Sequence, residues 1–203
     1  ENEFTEAEYA LFTEQAEQRI YNTVQIANLR KNVTGSITAL NQYLQAPTDF
    51  LSVYSLAVYP VAGGAYEFLL NKDVNFIRQA YPNPATTGKP KHYAIFGPRS
   101  DDVNELSFIV GPTPDVAYNA ELHYYYYPES IVTAGDTWLG ENFDSALLNG
   151  ALVEAIRYMK GEPDMVKFYQ DMYLQSIALL KNLGDGKQRG DAYRDGQVRI
   201  QVN

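Results

Sequence analysis

Apolar side chains near the start of the chain recur at a helical interval. Leu11, Phe12, Ala16 and Ile20 fall on one face of a 3.6-residue period, leaving Glu6, Glu14 and Glu17 toward water or a partner. Thr5-Glu6-Ala7-Glu8 has the form of a capping box, in which the Thr5 hydroxyl accepts a backbone N–H and Glu8 reaches back. The spacing predicts an amphipathic helix of about four or five turns within residues 1–23.

The period then shortens. Between residues 24 and 127, short β-type runs alternate with turn residues, and strands are predicted at Lys31–Thr38, Phe50–Tyr59, Ala65–Leu70, Lys91–Phe96, Glu105–Val110 and Ala117–Tyr127. Gly63-Gly64, Pro82-Asn83-Pro84, Gly97-Pro98 and Gly111-Pro112-Thr113-Pro114 punctuate them, and Asp73–Tyr81 reads as one or two helical turns. Such a run of short strands suits a small antiparallel sandwich or barrel.

Helical spacing returns over residues 128–183. Leu147, Leu148, Ala151, Leu152, Ala155, Ile156 and Met159 mark one helix, with Gly161 as its stop. Pro163 starts the next, whose stripe runs through Met165, Phe168, Tyr169, Met172, Tyr173, Ser176, Leu179, Leu180 and Leu183 to a stop at Gly184. Two helices joined this closely form an αα-hairpin, against which the first helix is expected to pack. The expected architecture is therefore α+β: an antiparallel bundle of about three helices (1–23 and 128–183), carrying an inserted small antiparallel β sandwich or barrel (24–127). Residues 184–203 hold four glycines and few apolar side chains, and are expected to be either a disordered tail or an extended C-terminal arm that becomes ordered on a neighbour. Its end, Val198-Arg199-Ile200-Gln201-Val202, alternates at period two and suits addition to another sheet as a strand.

Charge sharpens this division. The chain of 203 residues carries −9 overall, with six Glu against Arg19 alone in residues 1–23 and five basic against three acidic residues from Lys181 onward. With 45% hydrophobic and 20% charged residues, it has the material for a packed core and is not a disordered acidic chain. The acidic balance argues against a general phosphate-binding surface. No apolar run approaches the length of a membrane span, and the acidic opening residues carry no leader pattern.

Catalytic chemistry is not in evidence. Cysteine is absent, and the two histidines, His92 and His123, lie in predicted strands beside tyrosines, where a packed, hydrogen-bonded ring is the ordinary role. Neither a nucleophile elbow nor a paired-His motif occurs, so no catalytic residue, metal site or cofactor is expected. Gly184-Asp185-Gly186-Lys187 lacks the spacing and hydroxyl of a phosphate loop, and Arg189-Gly190-Asp191 is a chance-length match. A hydrolase would need carboxylates that the sequence does not single out. Tyrosine is the unusual residue, at 17. In Tyr124-Tyr125-Tyr126-Tyr127 alternate rings face opposite sides of a strand, so one pair can pack a core while the other meets a subunit or stacks on a sugar. Tyr125 and Tyr127, with Trp138 just before a helix, are candidate subunit-interface residues.

Several segments together resemble tailed-phage head-to-tail adaptor proteins. They are Leu122–Ser130, Thr137-Trp138-Leu139-Gly140, Tyr158–Asp164 and Asp191–Gln197, preceded in order by Ala80-Tyr81-Pro82, Gly88–Ala94 and Pro112–Asp115. The resemblance implies a virion structural protein of the head-to-tail interface, made in the host cytoplasm. It implies a ring, typically dodecameric, beneath the portal, with a platform for tail nozzle or fibre proteins and no catalytic residues. In such a ring the acidic helices would let DNA pass without specific binding. The basic arm, with Lys187, Arg189, Tyr193, Arg194 and Arg199, would clamp the portal or a neighbour. The alternative is another tail or baseplate component whose tyrosine-rich face binds glycan or protein.

Overall fold

The computed structural model describes residues 4–24, 26–98 and 106–198, except for the side chains of Ala27 and of residues 183–198. It is α+β, with six α-helices and ten strands among the described residues. The chain divides into two compact units, Glu1–Leu29 with Tyr127–Asn203, and Arg30–Tyr126.

The first unit holds α1 (Glu6–Thr23), α3 (Ile131–Ala134), α4 (Trp138–Asn142), α5 (Asp144–Tyr158) and α6 (Pro163–Val198). The capping box forms as the residues predict: Glu8 N–H donates to the Thr5 hydroxyl, and Thr5 N–H donates to Glu8 Oε2 at 2.8 Å. Phe12, Ala16 and Ile20 are buried, and α5 packs against both α1 and α6. Gly150 permits the α1–α5 approach, because a Cβ there would sit 3.0 Å from the Ala16 Cβ and 3.4 Å from the Tyr173 ring. That proximity accounts for a residue that weakens a helix interior by about 1 kcal/mol.

Four expectations change in this unit. Glu17 does not face water: it is 2% exposed, and its Oε1 accepts the Ile131 backbone N–H at 3.0 Å, closing the first turn of α3. Leu11, expected on the buried stripe, is 45% exposed. Gly161 is not the left-handed residue ending α5; Lys160 holds that conformation at φ 55°. Lys160 N–H donates to Arg157 O and Gly161 N–H to Ile156 O, a complete Schellman closure. Gly161 is needed for space, since a Cβ there would meet Ile156 Cδ1 at 2.5 Å. Beyond the expected stop at Gly184, α6 continues to Val198.

The second unit contains β1 (Arg30–Ile37), β2 (Tyr43–Gln45), β3 (Ser52–Pro60), β4 (Glu67–Phe68), β5 (Leu70–Asn71), α2 (Val74–Ala80), β6 (Thr87–Gly88), β7 (His92–Pro98), β8 (Leu106–Gly111), β9 (Thr113–Pro114) and β10 (Tyr118–Tyr125). Five correspond singly to predicted runs, and the sixth run, Ala65–Leu70, breaks into β4 and the start of β5; β2, β6 and β9 are too short for a period. One sheet has the order β1-β10-β3-β4 and another β2-β8-β7-β5, with β6 and β9 as a separate pair. Pairing is antiparallel except at β5–β7 and β6–β9.

Burial along β10 alternates strictly: Tyr118, Ala120, Leu122 and Tyr124 point inward, and Asn119, Glu121, His123 and Tyr125 outward. The inward row joins Leu56 and Val58 of β3, Phe108 and Val110 of β8, and Tyr93 of β7 in one core. On its other face the second sheet meets α2 through Ala94, Ile109 and Ile77. There the Tyr81 hydroxyl lies 2.9 Å from His92 Nδ1, placing His92 in the packed role expected of it.

Candidate assembly surfaces

On α6 two apolar stripes run side by side. Tyr173, Ser176, Ile177 and Leu180 are buried in the helical unit. Met165, Phe168, Met172 and Leu179, at spacings of three, four and seven residues, are between 39% and 66% exposed. At about 100° per residue, the second stripe is centred roughly 100° around the helix from the first. A surface helix needs only one apolar face to join its own core. A second, contiguous face of large side chains is the pattern of a surface that packs on another molecule. In the sequence the two are one stripe, because positions such as Met172 and Tyr173 are interleaved.

The tyrosine run separates according to strand alternation. Tyr124 is 1% exposed, and its hydroxyl donates to Asp49 Oδ1 at 2.7 Å. Lys31 Nζ donates to Asp49 Oδ2 at 2.8 Å. Burial pushes the Asp49 carboxyl up, but the hydrogen bonds from Lys31 and Tyr124 and the Lys31 charge outweigh it and hold Asp49 below its usual range. Burial first, and then the bond to Asp49, push the Tyr124 phenol well above its usual value. Asp49 sits in an unpatterned loop segment, and no motif marks it in the sequence.

The three interface candidates each have partners within their own unit. Tyr125 packs edge-on to Tyr54 at 6.0 Å, and the Arg30 guanidinium lies over both rings, 4.5 Å from Tyr54 and 5.7 Å from Tyr125. Tyr127 stacks on Tyr21 at 6.4 Å and donates to Asn22. Trp138 opens α4, half-buried against Phe143 at 5.6 Å. The other predicted histidine, His123, packs edge-on to Tyr54 at 4.9 Å.

Charge on the helices is less uniformly exposed than the sequence suggests. Glu154 forms an ion pair with Arg19, which also approaches the Tyr173 ring, so Glu17 and Glu154 are both withdrawn from the surface charge. Glu6, Glu14, Glu141, Asp144, Asp164 and Asp171 remain exposed. Of the arm residues, Lys187, Arg189, Tyr193 and Arg194 fall on α6 with side chains outside the described set, and Arg199 lies outside the described residues altogether. Among the described residues no cluster of His, Asp and Glu could hold a metal ion, and no helix is long and apolar enough to cross a membrane.

No curated protein matches the chain. It does match, over residues 3–201, the family described as SU10 adaptor protein. That match agrees with the head-to-tail adaptor resemblance carried by the segments from Ala80 to Gln197. With nearly its whole length covered, the chain belongs to the SU10 adaptor protein family.

Proposed function

We propose that the protein is a head-to-tail adaptor whose copies assemble into a ring beneath the portal of a tailed phage, dodecameric by resemblance. The ring would be a platform for tail nozzle or fibre proteins and would surround a channel for DNA. In this reading the helices form a bundle interrupted in sequence by the β unit. The observation that carries assembly is the exposed stripe Met165-Phe168-Met172-Leu179, an apolar surface that its own unit leaves uncovered. Family membership supplies the setting. The exposed helix carboxylates would keep phosphate from adhering wherever they face the channel, and the basic arm would engage the portal or a neighbour.

Electron microscopy of the protein mixed with portal particles tests this reading. Rings capping one end of the portal are expected; portals left bare at saturating protein would overturn it. Filter binding at low salt tests the channel: weak, sequence-independent retention of DNA is expected, and tight binding would contradict a non-adhesive lumen.

One observation favours the second reading, a tail or baseplate component with a ligand-binding aromatic face. Tyr54, Tyr66 and Phe68 are each about half exposed or more on the β unit, at 52%, 48% and 66%. Tyr66 and Phe68 stack with ring centres 6.5 Å apart. Binding to cell-surface glycan that disappears in Tyr66→Ala would support it, and bare surfaces at high protein would remove it.

A further inference from the structure

β1 is an edge strand without the usual protections. Among the described residues it pairs with β10 on one side only, in unbroken register from Arg30↔Tyr125 to Ile37↔Tyr118, so no bulge twists it away. It contains no proline, and its one strand-interior charge, Lys31, is tied to Asp49. Every residue from Lys31 to Ser36 is exposed, on both faces. A strand this long with a free edge is a template for pairing unless something covers it.

Its inner face is open as well. Val33 and Gly35 lie opposite the core residues Leu122 and Ala120, yet Val33 is 38% exposed and a Cβ at Gly35 would meet nothing within 4 Å. The other sheet ends there in the three-residue β2, so a groove of about 350 Å³ opens between the two edge strands, lined by Val33, Gly35, Leu44, Ala46, Pro47 and Leu122. The site therefore offers unpaired main chain along one wall and an apolar slot beneath it. A short extended segment with alternate apolar side chains has that shape.

This chain carries such a segment beyond the end of α6. In Arg199-Ile200-Gln201-Val202-Asn203, Ile200 and Val202 share one face of a strand, and Arg199 and Gln201 the other. Leu180 is the last buried side chain described on α6, and the helix runs on to Val198, about 27 Å farther at 1.5 Å per residue. Five extended residues reach at most about 18 Å, too short to return along the helix to the level of Leu180. Residues 199–203 therefore cannot fold back along α6 to the level of Leu180. We infer that residues 199–203 of one copy add as a strand to the free edge of β1 in a second copy, with Ile200 and Val202 seated in the groove beside Val33 and Gly35. The contact rests on the proposed self-association but does not require a portal.

The natural absence of cysteine makes the test direct. Full-length Val33→Cys is mixed with full-length Ile200→Cys or Val202→Cys under mild oxidation and read on a non-reducing gel. Neighbouring strands bring Cα atoms within disulfide range. The expected result is a dimer band several-fold stronger than with Thr34→Cys, which faces the opposite side, falling about tenfold when Gly35→Lys places a charge in the groove. Equal yields at positions 33 and 34, or no dimer, would overturn the docking. A cross-link found only within the Val33→Cys/Ile200→Cys double variant would assign the groove to the chain's own tail and overturn the second-copy contact. Portal capping, scored separately by microscopy, reports on the adaptor reading whichever band appears.

Discussion

Tyr124 and Asp49, 75 residues apart in the chain, are joined by a 2.7 Å hydrogen bond in which a nearly buried phenol donates to a half-buried carboxylate. The bond fixes the loop before β3 to β10, an interior strand of the same sheet. Tyr124→Phe should lower stability by about 1–2 kcal/mol, and Asp49→Ala by more, because the latter strands a buried hydroxyl as well as freeing Lys31. Urea unfolding of the two single variants and the double checks this; a double variant no worse than Asp49→Ala is the expected coupling.

Acid should expose the same bond. The Asp49 carboxyl lies below its ordinary value in the folded chain, so its contribution is fully present above the unfolded value of about 3.9 and fades as pH falls through the lowered folded value. The stability gap between wild type and Asp49→Asn should therefore be constant near neutrality and narrow only below about pH 4. Denaturation midpoints measured from pH 3 to pH 7, approximately spanning that range, give the answer.

Lys160 occupies a left-handed position that favours glycine. Lys160→Gly should stabilise the protein by about 0.5–1 kcal/mol, and Gly161→Ala should destabilise it because the new methyl meets Ile156. Opposite shifts in melting temperature from adjacent substitutions are the signature to measure.

Glu17 closes α3 from α1, across 114 residues of sequence. Glu17→Gln retains an acceptor oxygen and should be mild, whereas Glu17→Ala leaves the Ile131 N–H without its partner and should cost about 1–3 kcal/mol. Thermal unfolding of both variants distinguishes the hydrogen bond from simple packing.

The exposed stripe on α6 can be removed without touching the core. Phe168→Ser combined with Leu179→Ser should leave the melting temperature within a few degrees of wild type, on the order expected for surface changes. The same pair should abolish ring formation, read by mass photometry or by portal capping. Normal rings from the double variant would show that assembly uses a different face.

Secondary structure was legible wherever an element was long enough to repeat its pattern. The capping box at Thr5 and Glu8, the alternation of Tyr118–Tyr125 and the start of α6 at Pro163 all follow from local spacing. What spacing could not resolve were choices made by tertiary partners. Glu17 has the polar character and position of a solvent residue, and only the Ile131 N–H arriving from another helix explains its burial. Lys160 takes the left-handed turn, while Gly161 is required by the Ile156 side chain that fills the space beside it. Tyr127 continues the alternation of the strand in sequence, yet it packs on Tyr21 and Asn22 beyond the end of β10. The exposed stripe is hidden by its own proximity to the core stripe, since one helix presents two faces through consecutive letters.

The length of α6 makes the helix a ruler. Its 36 residues span about 54 Å, so Val198 stands at a height and azimuth set by the number of residues before it. Rotation by about 100° per residue means that inserting a single residue within the helix would swing Val198 to a different side as well as carry it farther out. An insertion of seven, nearly two turns, would restore direction to within about 20° while moving Val198 about 10 Å outward. The place where α6 ends is thus written in its residue count, independently of the chemistry at either end.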